Sequence, residues 1–497
     1  MSTSLFRSRL AKEFNERTAK FHTSVTEDLR IFEEDLNCTT AHDIMLHEQG
    51  IIPAKELRTI LRALGGMRAM WRAGEVIVTP QYEDIHEFIE TKVIEEIGIE
   101  TGGMIHTGRS RNDQVVCDVK MRLREYVLDL SVATLACAEA MQKRGMENAD
   151  AIMILYTHGQ HAQVGTFGAY LSCWSDTLIR DAERLESLYK RVNTNPLGAG
   201  PVGGTSINID RMRTTELLGF DGVQENSIDA TSSRDWAVEA AYCCASIMGN
   251  LSRIAADILE WSGVEYGYVE LADEYASSSS IMPQKKNPST MELLRGKTGE
   301  SYSGLFELLT MEKGVPTGYY ADLQETKLTL WRTIDNALTC LEIMTEIIST
   351  MKVKPDKLAK QTVGSFTMAV ELAETLTNEV GLSFRESYKI TADLVNLVIG
   401  KGQTLDKLTP ADVGASAMKL YNKKVKVSKS LIERATDPKQ ALQRRASLGS
   451  PHPDEVRRMI REHGAELVAL RVKAEERRSG VEKSLENLQA TAVRYSA

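Results

Sequence analysis

The run Ser277-Ser278-Ser279-Ser280-Ile281-Met282-Pro283-Gln284-Lys285-Lys286-Asn287-Pro288 gathers hydroxyls, two ammonium groups and an amide into one short stretch. A serine run alone reads as a flexible linker. Here the hydroxyls are followed at fixed distance by Lys285, Lys286 and Asn287, and two prolines limit the backbone, which supplies the parts of an anion-binding loop. Such a loop can stabilise a developing carboxylate dianion. No G-x-S-x-G elbow surrounds these serines, so proton transfer is a more economical role for them than acyl attack. A second stretch, Gly108-Arg109-Ser110-Arg111-Asn112, puts a Gly-containing turn before a helix expected to start near Asn112. Ser110, Arg111 and Asn112 then sit at a helix N-terminus, where geometry and charge suit a carboxylate. The plainer alternative is an N-cap with two solvated arginines. Thr157 and His158 end the apolar run 152–156, and a lone histidine there, like His86 or His106, is most often a satisfied core or surface side chain.

Metal ligation is disfavoured. His42 and His47 are five apart and His158 and His161 three apart, and neither pair brings the carboxylate and third ligand of a zinc helix. No metal or other cofactor is expected. With Lys plus Arg at 60 and Asp plus Glu at 69 the net charge is −9, a sign that repels polyphosphate and anionic lipid. Nucleic acid and membrane are therefore excluded as first partners, and the one basic run, Lys423-Lys424-Val425-Lys426 with Lys429, reads as a solvated face. The odd count of seven cysteines without C-x-x-C spacing predicts buried free thiols. Together with an N-terminal stretch that lacks an apolar secretory core, this predicts a cytoplasmic protein.

The elements that must position these groups are helices. From Trp236 the apolar residues Ala240, Cys243, Ile247, Leu251, Ile254, Ile258 and Trp261 follow a spacing near 3.5, a coiled-coil-like seam. Comparable stripes run along 112–141, 167–192 and 331–348, and 292–309 reads as a continuing helix. The expected fold is mostly α, in three domains: an N-terminal helical domain over 1–105, a central bundle of five long helices over 106–352, and a C-terminal helical domain over 353–497. The N-terminal helices are expected to be short, broken at Gly65 and Gly66 and at Pro80. Apolar seams this long exceed what one slender bundle can hide, so a second subunit is expected to cover part of them.

The serine loop is similar to the GSSxMPxKxN signature of the fumarase/aspartase superfamily, and His106-Thr107-Gly108-Arg109-Ser110-Arg111-Asn112-Asp113-Gln114 resembles the signature of its argininosuccinate lyase branch. Ala41-His42-Asp43-Ile44-Met45-Leu46, Glu83-Asp84-Ile85-His86, Thr157-His158-Gly159-Gln160, Pro196-Leu197-Gly198-Ala199-Gly200 and Asp322-Leu323-Gln324-Glu325 resemble further motifs of that branch, so the likeness covers nearly the whole chain. It implies a carbon–nitrogen lyase that releases fumarate and an amine by β-elimination from a succinyl-type di- or tricarboxylate. On the family spacing Ser279 would be the base, Lys285 its cation, and His158 a group near the leaving nitrogen. Ser110, Arg111, Asn112, Thr157, Ser280 and Asn287 would hold the substrate carboxylates and the dianion. Ser24, Asp28, Tyr319, Gln324 and Lys327 also keep the family's spacing, the last three as substrate-binding residues. The resemblance further implies a homotetramer whose central helices form one core and whose active sites are shared between subunits. Ser278, Val164 and Tyr388 depart from the family's usual Gly, Pro and His, and the usual WGGRF is absent. These departures leave two leaving groups open: arginine, or a diamine as in an ethylenediamine-disuccinate lyase. A structural, crystallin-like protein is the non-enzymatic alternative.

Overall fold

Five helices dominate the chain because five stretches carry long apolar stripes with no interior proline. In the computed structural model, which describes residues 14–445 and 447–497, they span Arg111–Glu147, Phe167–Val192, Asp235–Ser262, Ser289–Glu312 and Thr326–Thr350. Trp236, Cys243, Ile247, Leu251, Ile254, Ile258 and Trp261 are all buried, as the seam requires, and pack in one core with Leu123, Leu130, Leu171, Leu178, Ile334 and Leu341. Residues 1–13, part of the stretch read for a secretory core, lie outside the described residues. No described helix is long and apolar enough to cross a membrane.

Two expectations need correction. The helix Ala54–Arg72 runs straight through Gly65 and Gly66. Two interior glycines cost about 1 kcal/mol each relative to alanine. Burial of Leu57, Ile60, Leu61, Leu64 and Met67 on one face outweighs that. Of the seven free cysteines, Cys173 is exposed and the other six are buried, because position 173 falls on the outer face of its helix between buried Leu171 and Trp174.

The interval 353–497 divides by packing. Short helices from Ala369–Val380 to Pro438–Gln443 enclose a core of their own, with Leu372, Leu376, Ile390, Leu394, Val413 and Ile432. The final helix Pro453–Ser496 does something different. Its buried residues Ile460, Leu467, Ala474, Val481 and Leu488 recur every seventh position, and Leu467, Ala474 and Leu488 join the bundle core. A strict heptad of this kind makes a seam along neighbouring helices. Arg471, Arg477 and Arg478 fasten it to Glu139, Glu186 and Asp129 of the first two bundle helices.

The apolar run near 152 forms a strand, Ile152–Thr157, paired antiparallel with Gln160–Thr166. The turn between them is His158-Gly159, with φ of 54° and 68°. Both central residues of a type I′ hairpin turn need positive φ, which glycine takes freely and histidine only under constraint. Val164 of the returning strand packs into the C-terminal core, so the hairpin leans on that unit.

Candidate active site

Ser110 caps the helix Arg111–Glu147 through a capping box: its Oγ accepts from Asn112 N at 3.3 Å, and Asp113 Oδ1 accepts from Ser110 N at 2.9 Å. Arg111, in the first turn, pairs with Asp84 and lies 3.7 Å from Glu83. Burial alone would raise the Asp84 carboxyl. The Arg111 guanidinium and His86 outweigh it and hold Asp84 below the usual carboxylate range. Asn112 Nδ2 donates to Pro201 O at 3.2 Å. The same end of the molecule receives the N-terminal segment, since Ser24 N donates to Glu83 O at 2.9 Å. Lys327 donates to Ser24 Oγ at 3.1 Å and pairs with Asp28, all three side chains being buried. Gln324 Nε2 donates to His22 O at 2.9 Å. Tyr319, five residues earlier, couples electrostatically to Arg234, whose guanidinium burial lowers to about 10.

The other predicted residues lie elsewhere. Ser277–Ser278 pairs with Lys286–Asn287 as a two-residue ladder, and 279–285 forms the loop between them. Ser279 Oγ accepts from Met282 N at 3.1 Å and Ile281 N at 3.4 Å, which turns the chain back on itself. Lys286 is anchored to Leu271 O at 2.6 Å and Asp273 at 2.7 Å. Lys285 is exposed and pairs with no carboxylate among the described residues. The loop's second cation is thus fixed in place and its first is left available. His158 and Thr157 are exposed at the hairpin tip, which is braced from below by the 2.8 Å contact between Tyr156 Oη and Tyr268 Oη.

These two groups occupy opposite ends of the bundle. Arg144, near the end of the helix that begins at Arg111, donates to Met351 O at 2.7 Å. Lys352–Val353 pairs with Val269–Glu270, next to Tyr268, and Tyr275 Oη donates to Glu346 at 2.9 Å. The hairpin and the serine loop therefore both sit where the Arg111–Glu147 and Thr326–Thr350 helices end, whereas Ser110, Arg111, Asn112 and Lys327 sit where they begin. A 37-residue helix is roughly 55 Å long at about 1.5 Å per residue. One chain thus places Ser110, Arg111, Asn112, Gln324 and Lys327 at one end, and the hairpin tip with Thr157 and His158 and the loop with Ser279, Ser280, Lys285 and Asn287 at the other, without joining the two ends.

Behind the helix start lies a buried polar cluster. His86 Nδ1 pairs with Asp35 and lies 3.5 Å from Asp118, Gln114 donates to Asp35 at 2.8 Å, and both carboxylate oxygens of Asp118 are buried without a hydrogen-bond partner among the described residues. Asp35, His86 and Asp118, and likewise Cys38, Cys117 and Asp118, have potential ligand atoms within 4.8 Å of one another. With Asp35 already engaged by His86 and Gln114, this cluster is read as packing behind the site. Sequence reasoning missed Arg234, Asp84 and Asp113. For Asp113 a signal existed, the S-x-x-D spacing of a capping box after Ser110.

The comparisons agree across the chain. The family model described as Lyase matches residues 8–300, and that described as Argininosuccinate lyase C-terminal matches 366–443. An argininosuccinate lyase of Nitrosopumilus maritimus is 38% identical over 98% of this chain and 99% of its own length. One of Methanosarcina mazei is 37% identical over 100% and 99%. Among solved structures, EDDS lyase in complex with formate superposes with a TM-score of 0.86 at 30% identity, covering 94% of this chain and 92% of its own. An EDDS lyase variant with bound fumarate gives 0.87 at 29%, covering 98% and 97%. A class II fumarase from Schistosoma mansoni, at 15% identity and a TM-score of 0.71, shares the fold. With full-length relatives, both family models and the two motif sets in agreement, the chain belongs to the argininosuccinate lyase branch of the fumarase/aspartase superfamily.

Proposed function

We propose that the protein cleaves argininosuccinate to arginine and fumarate, in active sites assembled from several subunits of a homotetramer. Ser279 removes a proton from the carbon beside a substrate carboxylate. The electron pair passes into that carboxylate as an aci-dianion, held by Ser280, Asn287 and loop amides, and then returns to expel the nitrogen as the Cα–N bond breaks. A carbon acid this weak requires preorganised donors. A serine alkoxide likewise requires a nearby cation in a closed site, for which the exposed Lys285 is available. Arg111, Ser110, Asn112 and Thr157 hold the substrate carboxylates, His158 serves the leaving nitrogen, and Tyr319, Gln324 and Lys327 shape the amine side.

The observation that carries the shared site is the separation of the two residue sets to opposite ends of the bundle, so that neither end of one chain is complete. Exposed apolar residues supply a covered interface: Leu293 and Phe306 on the helix Ser289–Glu312 are 64% and 72% exposed. Free thiols at all seven cysteines suit a reducing cytoplasm. The experiment is the ultraviolet absorbance of fumarate after mixing the protein with argininosuccinate or with ethylenediamine-disuccinate. Fumarate from the first substrate supports the proposal. Fumarate from the second alone would assign the leaving group to a diamine, as the EDDS lyase neighbours suggest, and none from either would leave the crystallin-like reading.

A further inference from the structure

Asp113 makes more contacts than a capping residue needs. Its Oδ1 closes the capping box on Ser110 N at 2.9 Å, which would satisfy an ordinary helix start. Its Oδ2 reaches out of the helix to a loop more than eighty residues away, accepting from Gly198 N at 2.9 Å and Gly200 N at 2.7 Å. The carboxylate is fully buried. Gly198 and Gly200 both have positive φ, 86° and 63°, which turns their N–H groups inward as an anion nest. The loop has no room for side chains there: a Cβ on Gly200 would lie 2.6 Å from Gly204 O, and one on Gly198 would lie 2.8 Å from Arg211 and Ile209. Arg211 holds the loop's carbonyl side, donating to Leu197 O at 2.9 Å and Pro196 O at 3.1 Å. The next residue of the loop, Pro201, accepts from Asn112.

We propose that Asp113 is the positioning residue of the substrate-carboxylate clamp: its one carboxylate locks the 196–201 loop against the start of the Arg111–Glu147 helix, and so fixes Ser110, Arg111 and Asn112 at the spacing a dicarboxylate requires. The inference rests on the carboxylate role given to those three residues above. Because Asp113 is fully buried, it acts only through them. An asparagine at 113 can accept on one side only, and its NH₂ must then face a backbone N–H on the other, donor against donor. The clamp holds ground and transition states alike, so loosening it raises KM more than it lowers kcat.

The test uses the full-length protein and two independent variants, Asp113→Asn and Gly200→Ala, the second breaking the nest from the loop side. Fumarate binding is measured by calorimetry alongside steady-state kinetics and thermal melting. For Asp113→Asn the expected result is fumarate affinity and KM weakened by at least ~10-fold with kcat within about 3-fold, the size of effect that losing charge-assisted bonds produces. Gly200→Ala should show the same split, and the double variant should be little worse than either single one, since both open one contact. A lowered melting temperature with fumarate affinity and KM unchanged in either folded variant would overturn the inference, leaving Asp113 a purely structural cap. If Asp113→Asn fails to fold, Gly200→Ala decides alone. Failure of the wild type to release fumarate from argininosuccinate would overturn the proposed substrate, whereas fumarate binding still reads the clamp.

Discussion

Lys327 donates to Ser24 Oγ across 303 positions of sequence and pairs with Asp28 beside it, so the beginning of the chain and the start of a bundle helix share one buried ionic contact. Removing one member of such a pair strands the other charge away from water. Lys327→Met should therefore destabilise the fold by about 3 to 5 kcal/mol. The Asp28→Asn/Lys327→Met double variant should lose less than the sum of the two single losses by at least about 1 kcal/mol. Denaturant midpoints of the three variants measure this, and strict additivity would mean that the pair is not energetically coupled.

Ser279 and Ser280 are neighbours with different surroundings. Ser279 Oγ is engaged by two amides of its own loop and is half-buried, whereas Ser280 is exposed. Ser279→Ala should keep the fold and substrate binding and lower kcat by at least ~10²-fold, the usual minimum for a lost general base. Ser280→Ala should be milder, because backbone donors remain. An inactive Ser280→Ala beside a near-normal Ser279→Ala would shift the base by one position.

Arg111 is already neutralised in part by Asp84 and Glu83, so its value to a substrate lies in a preset position. Arg111→Met should raise KM and weaken fumarate inhibition together, by the roughly 1.5 to 3 kcal/mol of a charge-assisted contact. Unchanged inhibition by fumarate would remove Arg111 from the site.

The opposite-end arrangement makes a strong prediction about mixtures. At substrate concentrations well below KM, inactive Ser279→Ala and weakened Arg111→Met proteins, exchanged between oligomers, should turn over faster together than either does alone. The two segments lie at opposite ends of one chain, and some sites then receive both wild-type segments from different subunits. Light scattering and fumarate absorbance follow the exchange. No gain after proven exchange, or an active monomer, would refute the shared site.

Asp43 carries a pH signature. Both its oxygens are buried without a hydrogen-bond partner among the described residues, and burial pushes its carboxyl up to about 8. An unfolded aspartate ionises near ~4. Between those values the native chain binds the extra proton, so the stability Asp43 contributes is complete at low pH and is lost as pH rises toward 8. Asp43→Asn should flatten that decline, by at most about 1.4 kcal/mol per pH unit, and should melt higher than wild type at pH 8. Parallel melting curves against pH for the two proteins would contradict it.

The long helices and the loop at the serine run were legible in the sequence because both depend on local spacing. The Trp236–Trp261 seam repeats every three or four residues, and a cap such as Ser110 acts within one turn. The break expected at Gly65 and Gly66 failed for the complementary reason: a glycine's local cost is small, and burial of Leu61, Leu64 and Met67 against distant helices decides the outcome. The hairpin tip at His158 and the heptad return of Pro453–Ser496 onto the bundle were likewise set by partners far along the chain. The deepest division concerns the site itself. Sequence alone nominated the residues proposed to carry the chemistry, since motif composition is a property of short segments. Only the tertiary structure decided that they fall into two sets at opposite ends, because a helix of 37 residues is a rigid spacer that keeps Arg111 apart from the loop holding Ser279.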